Sequence, residues 1–206
     1  MTDYDRLYHH WLDRQGSRAL DLQWRLAHLL WRQRVLLRRF PPDRKRVLDF
    51  GCMDGVFTLK LQQLGGEAVG YDISREAIAQ AERFRGPAQH PTFTTVAPGP
   101  GQFDIVYCNE VLEHLEDDRA FVGELVKFLV PGGLLVGTTP VGRYFWDPDH
   151  KREYDRSSLE RALSPWGAVK IRRYYRTPLR NLLPIRQSGA AIFIFEVRPR
   201  NLPDAR

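Results

Sequence analysis

Cysteine is scarce in this 206-residue chain, and long apolar runs are missing altogether. Its two cysteines, Cys52 and Cys108, each close a short apolar run and form no disulfide-like framework. A reducing compartment suits them better than a secreted one. No stretch is long enough to span a bilayer, which argues against stable membrane insertion. The opening residues, Met1-Thr2-Asp3-Tyr4-Asp5-Arg6, lack a basic region followed by an apolar one, so a cytoplasmic location is expected. Repeats, low-complexity tracts and a composition shift that would mark a second folding unit are also missing, leaving a chain whose length suits one full core.

What is present is ordinary in bulk: 43% hydrophobic and 27% charged residues fit a globular protein with a packed interior. The charge is less ordinary. A net +6 with a pI near 9.5 suggests an anionic partner, whether RNA, a phospholipid or an acidic metabolite. A basic surface that merely keeps the protein soluble accounts for the same charge equally well.

The most informative stretch is Arg46-Val47-Leu48-Asp49-Phe50-Gly51-Cys52-Met53-Asp54-Gly55, followed by Ala68-Val69-Gly70-Tyr71-Asp72. Twice, a short apolar run closes on an acid, and the first run then enters a glycine turn. An α/β sheet holds a nucleoside beside its first two strands in this way, with glycines clearing space and the second acid bonding ribose hydroxyls. The dinucleotide fingerprint G-x-G-x-x-G is lacking, and Asp49 would repel a pyrophosphate. The same carboxylate attracts an ammonium group. S-adenosylmethionine (SAM) carries an ammonium and no phosphate, so the turn favours SAM over NAD.

Residues from about Asp3 to Phe40 read as helix, in two segments broken near Gly16-Ser17. In the second, Leu20, Trp24, Ala27, Trp31 and Val35 form one apolar face, with arginines supplying much of the rest. Pro41-Pro42 stops it. Packing against the sheet is the favoured role for this face. Its Trp and Arg content also suits a lid, a membrane surface or stacking on bases. Strand and helix then alternate: strand 47–50, helix 54–64, strand 67–71, helix 74–85, a weak strand 92–96, strand 103–108, a helix through Val130, and strand 134–138. This rhythm predicts a parallel sheet with right-handed crossovers. Residues 168–175 and 190–197 read instead as an antiparallel pair.

The segments VLDFGCMDG, AVGYD, FDIVYCNEVLEHLED and LVPGGLLVGTTP, in this order, resemble the class I SAM-dependent methyltransferases from about Val47 to Val197. The resemblance implies an α/β, Rossmann-like fold with a seven-stranded, mostly parallel sheet and an antiparallel C-terminal hairpin. An N-terminal helical lid over 1–42 would precede a methyltransferase domain over 43–206. It further implies that Gly51 and Gly55 flank the methionine part of SAM, that Asp72 bonds the ribose, and that Asn109 lines the cofactor. Asp49, Cys52 and Ile73 complete the expected cofactor set, and Cys52 and Cys108 are expected near each other at the cofactor mouth. A plainer account makes Asp72 a helix cap ahead of Ser74. Two departures stand out. Met53 occupies a position where many members carry glycine, and Thr94–Gly99 offers no acid for the adenine amino group, leaving adenine to backbone groups.

The stretch Asn109-Glu110-Val111-Leu112-Glu113-His114-Leu115 is expected to enter a helix past the fourth strand, so that Glu110, Glu113 and His114 converge on one face. The loop after Thr138, carrying Tyr144, Phe145, Trp146, Asp147, Asp149 and His150, opens on the same mouth. Two functional readings follow. In one, His114 or His150 is a general base for a substrate hydroxyl, with Glu110 beside it. In the other, Glu110, Glu113, His114 and His150 hold a divalent metal. E-x-x-E-H with a later histidine is similar to methyltransferases acting on the 2′-hydroxyl at a small RNA's 3′ end. E-V-L-E-H-L is equally similar to the ubiquinone-biosynthesis O-methyltransferases and to methyltransferases of sugar and lipid pathways. A simpler account has the two glutamates capping a helix and His114 packing the lid.

The expected activity is O-methylation of a small-molecule, sugar or lipid intermediate, with SAM as cofactor and a divalent metal as a second candidate. The substrate is expected to be anionic or membrane-associated. RNA ribose 2′-O-methylation is the alternative, followed by a non-catalytic SAM-binding role. Nothing in the sequence sets an oligomeric state.

Overall fold

The structure is a computed structural model that describes residues 3–142, 149–176 and 191–200. Its seven strands are β1 (Arg46–Phe50), β2 (Glu67–Tyr71), β3 (Thr92–Thr94), β4 (Phe103–Asn109), β5 (Leu129–Pro140), β6 (Gly167–Tyr175) and β7 (Ala191–Pro199). They form one sheet in the order β3-β2-β1-β4-β5-β7-β6. Strands β1 to β5 are parallel, and β7 runs antiparallel to both β5 and β6, as the change of rhythm predicted.

Adjacent residues of the central strands send their side chains to opposite faces. Val47, Ile105 and Leu134 pack on one side with Leu36, Phe57 and Leu61. Leu48, Val106 and Leu135 pack on the other with Leu125, Leu159 and Leu163. Both faces are therefore covered, which is why these strands read as continuous apolar runs rather than alternating ones. The crossovers are α4 (Val56–Gln63), α5 (Arg75–Arg85) and α6 (Asp118–Lys127), and α7 (Arg156–Leu163) precedes β6.

The N-terminal segment departs from expectation. Its described residues hold three α-helices, α1 (Asp3–Gln15), α2 (Leu22–Ala27) and α3 (Trp31–Arg39), with a 3-10 turn at Gly16–Arg18. Asp21 caps α2 through the Trp24 N–H at 2.9 Å, and the chain leaves helical geometry at His28. That interruption resets the helical phase. Leu26, Leu29 and Leu36 are buried, while Leu20, expected on the apolar face, is 63% exposed. Trp31 and Val35 do pack against the core. The expected long helix after β4 is also corrected. Leu112–His114 form a short 3-10 turn, and α6 starts only at Asp118, capped by Asp117. Strand β5 begins earlier than expected because Leu129 pairs with Phe103 before the register shifts to Ile105 and Leu134.

The N-terminal helices are tied to the glycine turn by charge. Arg25 of α2 makes a two-pronged contact with Asp54, which is 2% exposed, and its guanidinium lies 4.7 Å from the Trp11 ring centre. Burial pushes the Asp54 carboxyl up and Arg25 pulls it down. Arg25→Ala leaves that carboxylate buried and unpaired, so it should cost about 3 kcal/mol in urea unfolding at neutral pH. The loss should shrink as pH falls and Asp54 takes up a proton; a deficit equal at acid and neutral pH would show that packing, not charge, joins the two elements.

Candidate active site

Residues 51–55 turn sharply between β1 and α4. Gly51, Met53 and Gly55 adopt φ of +76°, +52° and +74°. At Gly55, a Cβ would stand 2.4 Å from the Phe93 ring, so both space and conformation require glycine there. Met53 accepts the left-handed conformation because its N–H is committed: it donates to Asp72 at 2.8 Å. Asp72 also accepts from the Ser74 N–H at 2.9 Å and is 7% exposed. Ser74, not Asp72, is the cap of α5, its hydroxyl accepting from the Ala77 N–H at 3.1 Å. Two of the four lone-pair sites a carboxylate offers thus remain at Asp72 for another donor.

Asp49 lies beneath the turn rather than in its opening. It is 2% exposed, accepts from the Thr58 hydroxyl at 2.6 Å, and is pushed up to about 7 by burial and by the charge of Asp72. Cys52 and Cys108 are both buried, and burial pushes both thiols up. Ile73 is 49% exposed at the rim. Asn109 closes β4 with both amide atoms buried and without a partner among the described residues. An orphaned amide beside a turn shaped around two glycines and a half-committed carboxylate fits the nucleoside and amino-acid parts of SAM. After β3, the Thr94 hydroxyl bonds the Val96 N–H and C=O, so no acid faces an adenine there.

On the other side of the mouth, Glu110 adopts φ +54°, accepts from the Thr138 hydroxyl at 2.8 Å and lies 3.4 Å from Arg32. Arg32 is one of several arginines on the N-terminal helices, and the fold is what brings it to Glu110. Glu113 is 1% exposed; one oxygen accepts from the Thr139 hydroxyl at 3.1 Å and the other has no partner among the described residues. Burial and the nearby Glu110 hold its carboxyl well above the usual range. His114 Nδ1 lies 3.2 Å from the Asp149 carbonyl. A carbonyl can only accept, so Nδ1 is assigned a proton, and the neutral ring then carries its lone pair on Nε2.

His150 meets His114 with ring centres 4.9 Å apart. The segment around it is pinned to the 3-10 turn. The Lys151 N–H donates to the Glu113 carbonyl at 2.8 Å, Arg152 donates to the Leu115 carbonyl at 2.8 Å, and the Tyr154 hydroxyl donates to Asp118. One potential ligand atom each from Glu113, His114 and His150 lies within 4.8 Å of the others. Glu110 falls outside this group, a correction to the four-residue set: its left-handed backbone turns it toward Thr138 and Arg32. Tyr144, Phe145, Trp146 and Asp147 lie outside the described residues.

A doubly covered sheet of this order, with a glycine turn after β1 and an acid after β2, is the class of α/β fold that holds a nucleoside ligand at the ends of its strands. A family model described as "Methyltransferase domain" matches residues 21–183, and the chain belongs to that methyltransferase family. It is similar to a ubiquinone biosynthesis O-methyltransferase of Albidiferax ferrireducens, 28% identical over 154 residues, covering 68% of this chain and 57% of the relative. Another of the same name from Bradyrhizobium sp. is 31% identical over 152 residues, covering 68% and 60%. The chain thus spans about 60% or less of the length of these relatives. A SAM-dependent methyltransferase from Archaeoglobus fulgidus superposes with a TM-score of 0.65 at 20% identity, covering 95% of this chain and 100% of that one. YcgJ from Bacillus subtilis gives 0.67 at 16% identity, covering 82% and 98%. The fold agrees throughout.

Met53→Gly should raise stability by about 1 kcal/mol in chemical denaturation, because a left-handed conformation strains any residue with a Cβ. No gain would mean that contacts of the methionine side chain offset the strain.

Proposed function

We propose that the enzyme transfers a methyl group to a hydroxyl oxygen of a small-molecule, sugar or lipid intermediate. The observation that carries this reading is His114, whose Nδ1 is engaged by the Asp149 carbonyl, so that in the neutral ring the lone pair falls on Nε2. A hydroxyl must lose its proton as the new bond forms, and an imidazole with a fixed tautomer is suited to remove it at neutral pH. His150 stands across from it. The names of the ubiquinone-biosynthesis relatives support an oxygen acceptor.

When bound, SAM supplies an electrophilic methyl carbon on a sulfonium. Asp72 would hold the ribose hydroxyl pair with its remaining lone pairs, and Asn109 would satisfy its amide against the cofactor. Gly51, Cys52 and Gly55 would border the methionine part, and Ile73 would offer apolar surface to the base. Asp49 would favour the ammonium through space.

Asp72→Ala should weaken S-adenosylhomocysteine binding by about 1–3 kcal/mol in calorimetry; unchanged affinity would remove the ribose assignment. His114→Ala should cut turnover steeply and leave that affinity nearly intact. If it abolishes cofactor binding instead, the division of labour is wrong. Asp49 adds a pH signature. Its carboxyl, held near 7 in the free protein, must ionise to attract the ammonium, so affinity should rise between about pH 5 and pH 7 and flatten above. Asp49→Asn should abolish the slope, and a slope that survives would assign it elsewhere.

A second reading rests on the converging atoms of Glu113, His114 and His150. Two imidazoles and a carboxylate suit a divalent transition metal, which would orient and acidify a hydroxyl pair. Titration with Zn²⁺ or Mn²⁺ should then show one site that His150→Ala loses. Chelation that changes neither thermal stability nor turnover would eliminate this reading. RNA is the alternative acceptor for the same cluster. Substrate affinity that falls steeply with salt would favour it, whereas indifference to salt favours the small molecule.

A further inference from the structure

At the end of the sheet opposite the glycine turn, a cleft of about 330 Å³ opens between the end of α3 and the starts of β1, β4 and β5. Its walls include Phe40, Ile105 and Leu134, and Arg39, Lys45 and Arg198 line it beside a single acid, Asp104. That acid is already engaged, accepting from the Arg46 N–H at 2.8 Å. The cations are poorly neutralised. Among the described residues, no carboxylate lies within ion-pair distance of Arg39 or Lys45. Lys45 reaches only the Pro41 carbonyl, at 3.5 Å. Arg39 donates to the Tyr174 hydroxyl at 2.8 Å, and its Nε is buried without a partner among the described residues. Arg198 approaches Glu196 at 3.8 Å, a carboxylate it shares with Lys170 at 3.6 Å.

Excess positive charge over an apolar floor is costly unless an anion answers it, and a cleft of this size holds a small molecule or the head of a larger one. We propose that this cleft is a second binding site, separate from the catalytic mouth, for an amphiphilic anion: a phosphate group carried on an apolar body. A soluble phosphorylated metabolite and an anionic phospholipid share that chemistry. The inference does not rest on the choice of methyl acceptor.

The test is calorimetric titration of the full chain with phenyl phosphate, with phenol as the uncharged control and phosphatidylglycerol vesicles as competitor. Phenyl phosphate should bind saturably, and phenol should not. The double variant Lys45→Glu/Arg198→Glu should lose about tenfold or more in affinity, as expected for removal of charge-assisted contacts. Arg198 is exposed and Lys45 half-buried, and melting curves will report whether the variant folds. Should it not, Arg198→Gln alone decides, with a smaller loss expected. Displacement by vesicles identifies the lipid source, and failure of vesicles to displace identifies the soluble one. Phenol binding as well as phenyl phosphate, undiminished affinity in the folded variants, or no binding of either phosphate probe would each overturn the proposal.

Discussion

One buried carboxylate organises the mouth of this protein. Asp72 accepts hydrogen bonds from Met53 in the turn after β1 and from Ser74 at the start of α5. Bonds from N–H groups to an ionised oxygen are stronger than neutral ones, so this acid joins two loops that the sheet alone would leave independent. It also makes Met53 tolerable, since the left-handed strain at that residue directs its N–H onto Asp72. The crevice at this edge of the strands is where open α/β sheets bind ligands, beside the point where strand order reverses. With β2 on one side of β1 and β4 on the other, that reversal falls at β1.

The charge around Asp72 explains why a cationic cofactor suits the site. Asp49, Asp54 and Asp72 are all buried, and each is pushed toward its neutral form. Asp5, carried by α1, adds to the effect on Asp72 while accepting from the Ser74 hydroxyl at 2.8 Å. Arg25 offsets one of these acids only. A sulfonium and an ammonium placed beside these acids would favour their ionised forms.

The strands were legible because the physics that forms them leaves a mark in local sequence. Pairs such as Val47-Leu48 and Ile105-Val106 are buried on both faces, and an apolar run before a glycine turn survives any detail of packing. The stretch from Asn109 to Leu115 was not. Its residues are adequate helix formers, yet Glu110 turns left-handed and the helix waits for the Asp117 cap. Glu113 and His114 still come together with His150, though not by helical spacing. They do so because Lys151, Arg152 and Tyr154 bond back across the turn, long-range contacts with no local signature. Arg32 is illegible for a similar reason. One arginine among many on a basic helix carries no pattern, and only the fold shows that it faces Glu110.

The two accounts of the histidine pair share one electrostatic requirement. Glu113 is buried, satisfied on one oxygen by Thr139, and disfavoured as an anion by its neighbour Glu110. Arg32 only partly compensates, lying nearer the solvent side at Glu110. For that carboxylate to ionise and take part in chemistry, positive charge must come to the two imidazoles beside it. A divalent ion would bring it permanently, and a proton taken from a substrate hydroxyl would bring it transiently, as His114 becomes an imidazolium. In the second case Glu113 would stabilise the charge that develops during transfer, and the buried acid would then serve the reaction rather than the resting structure.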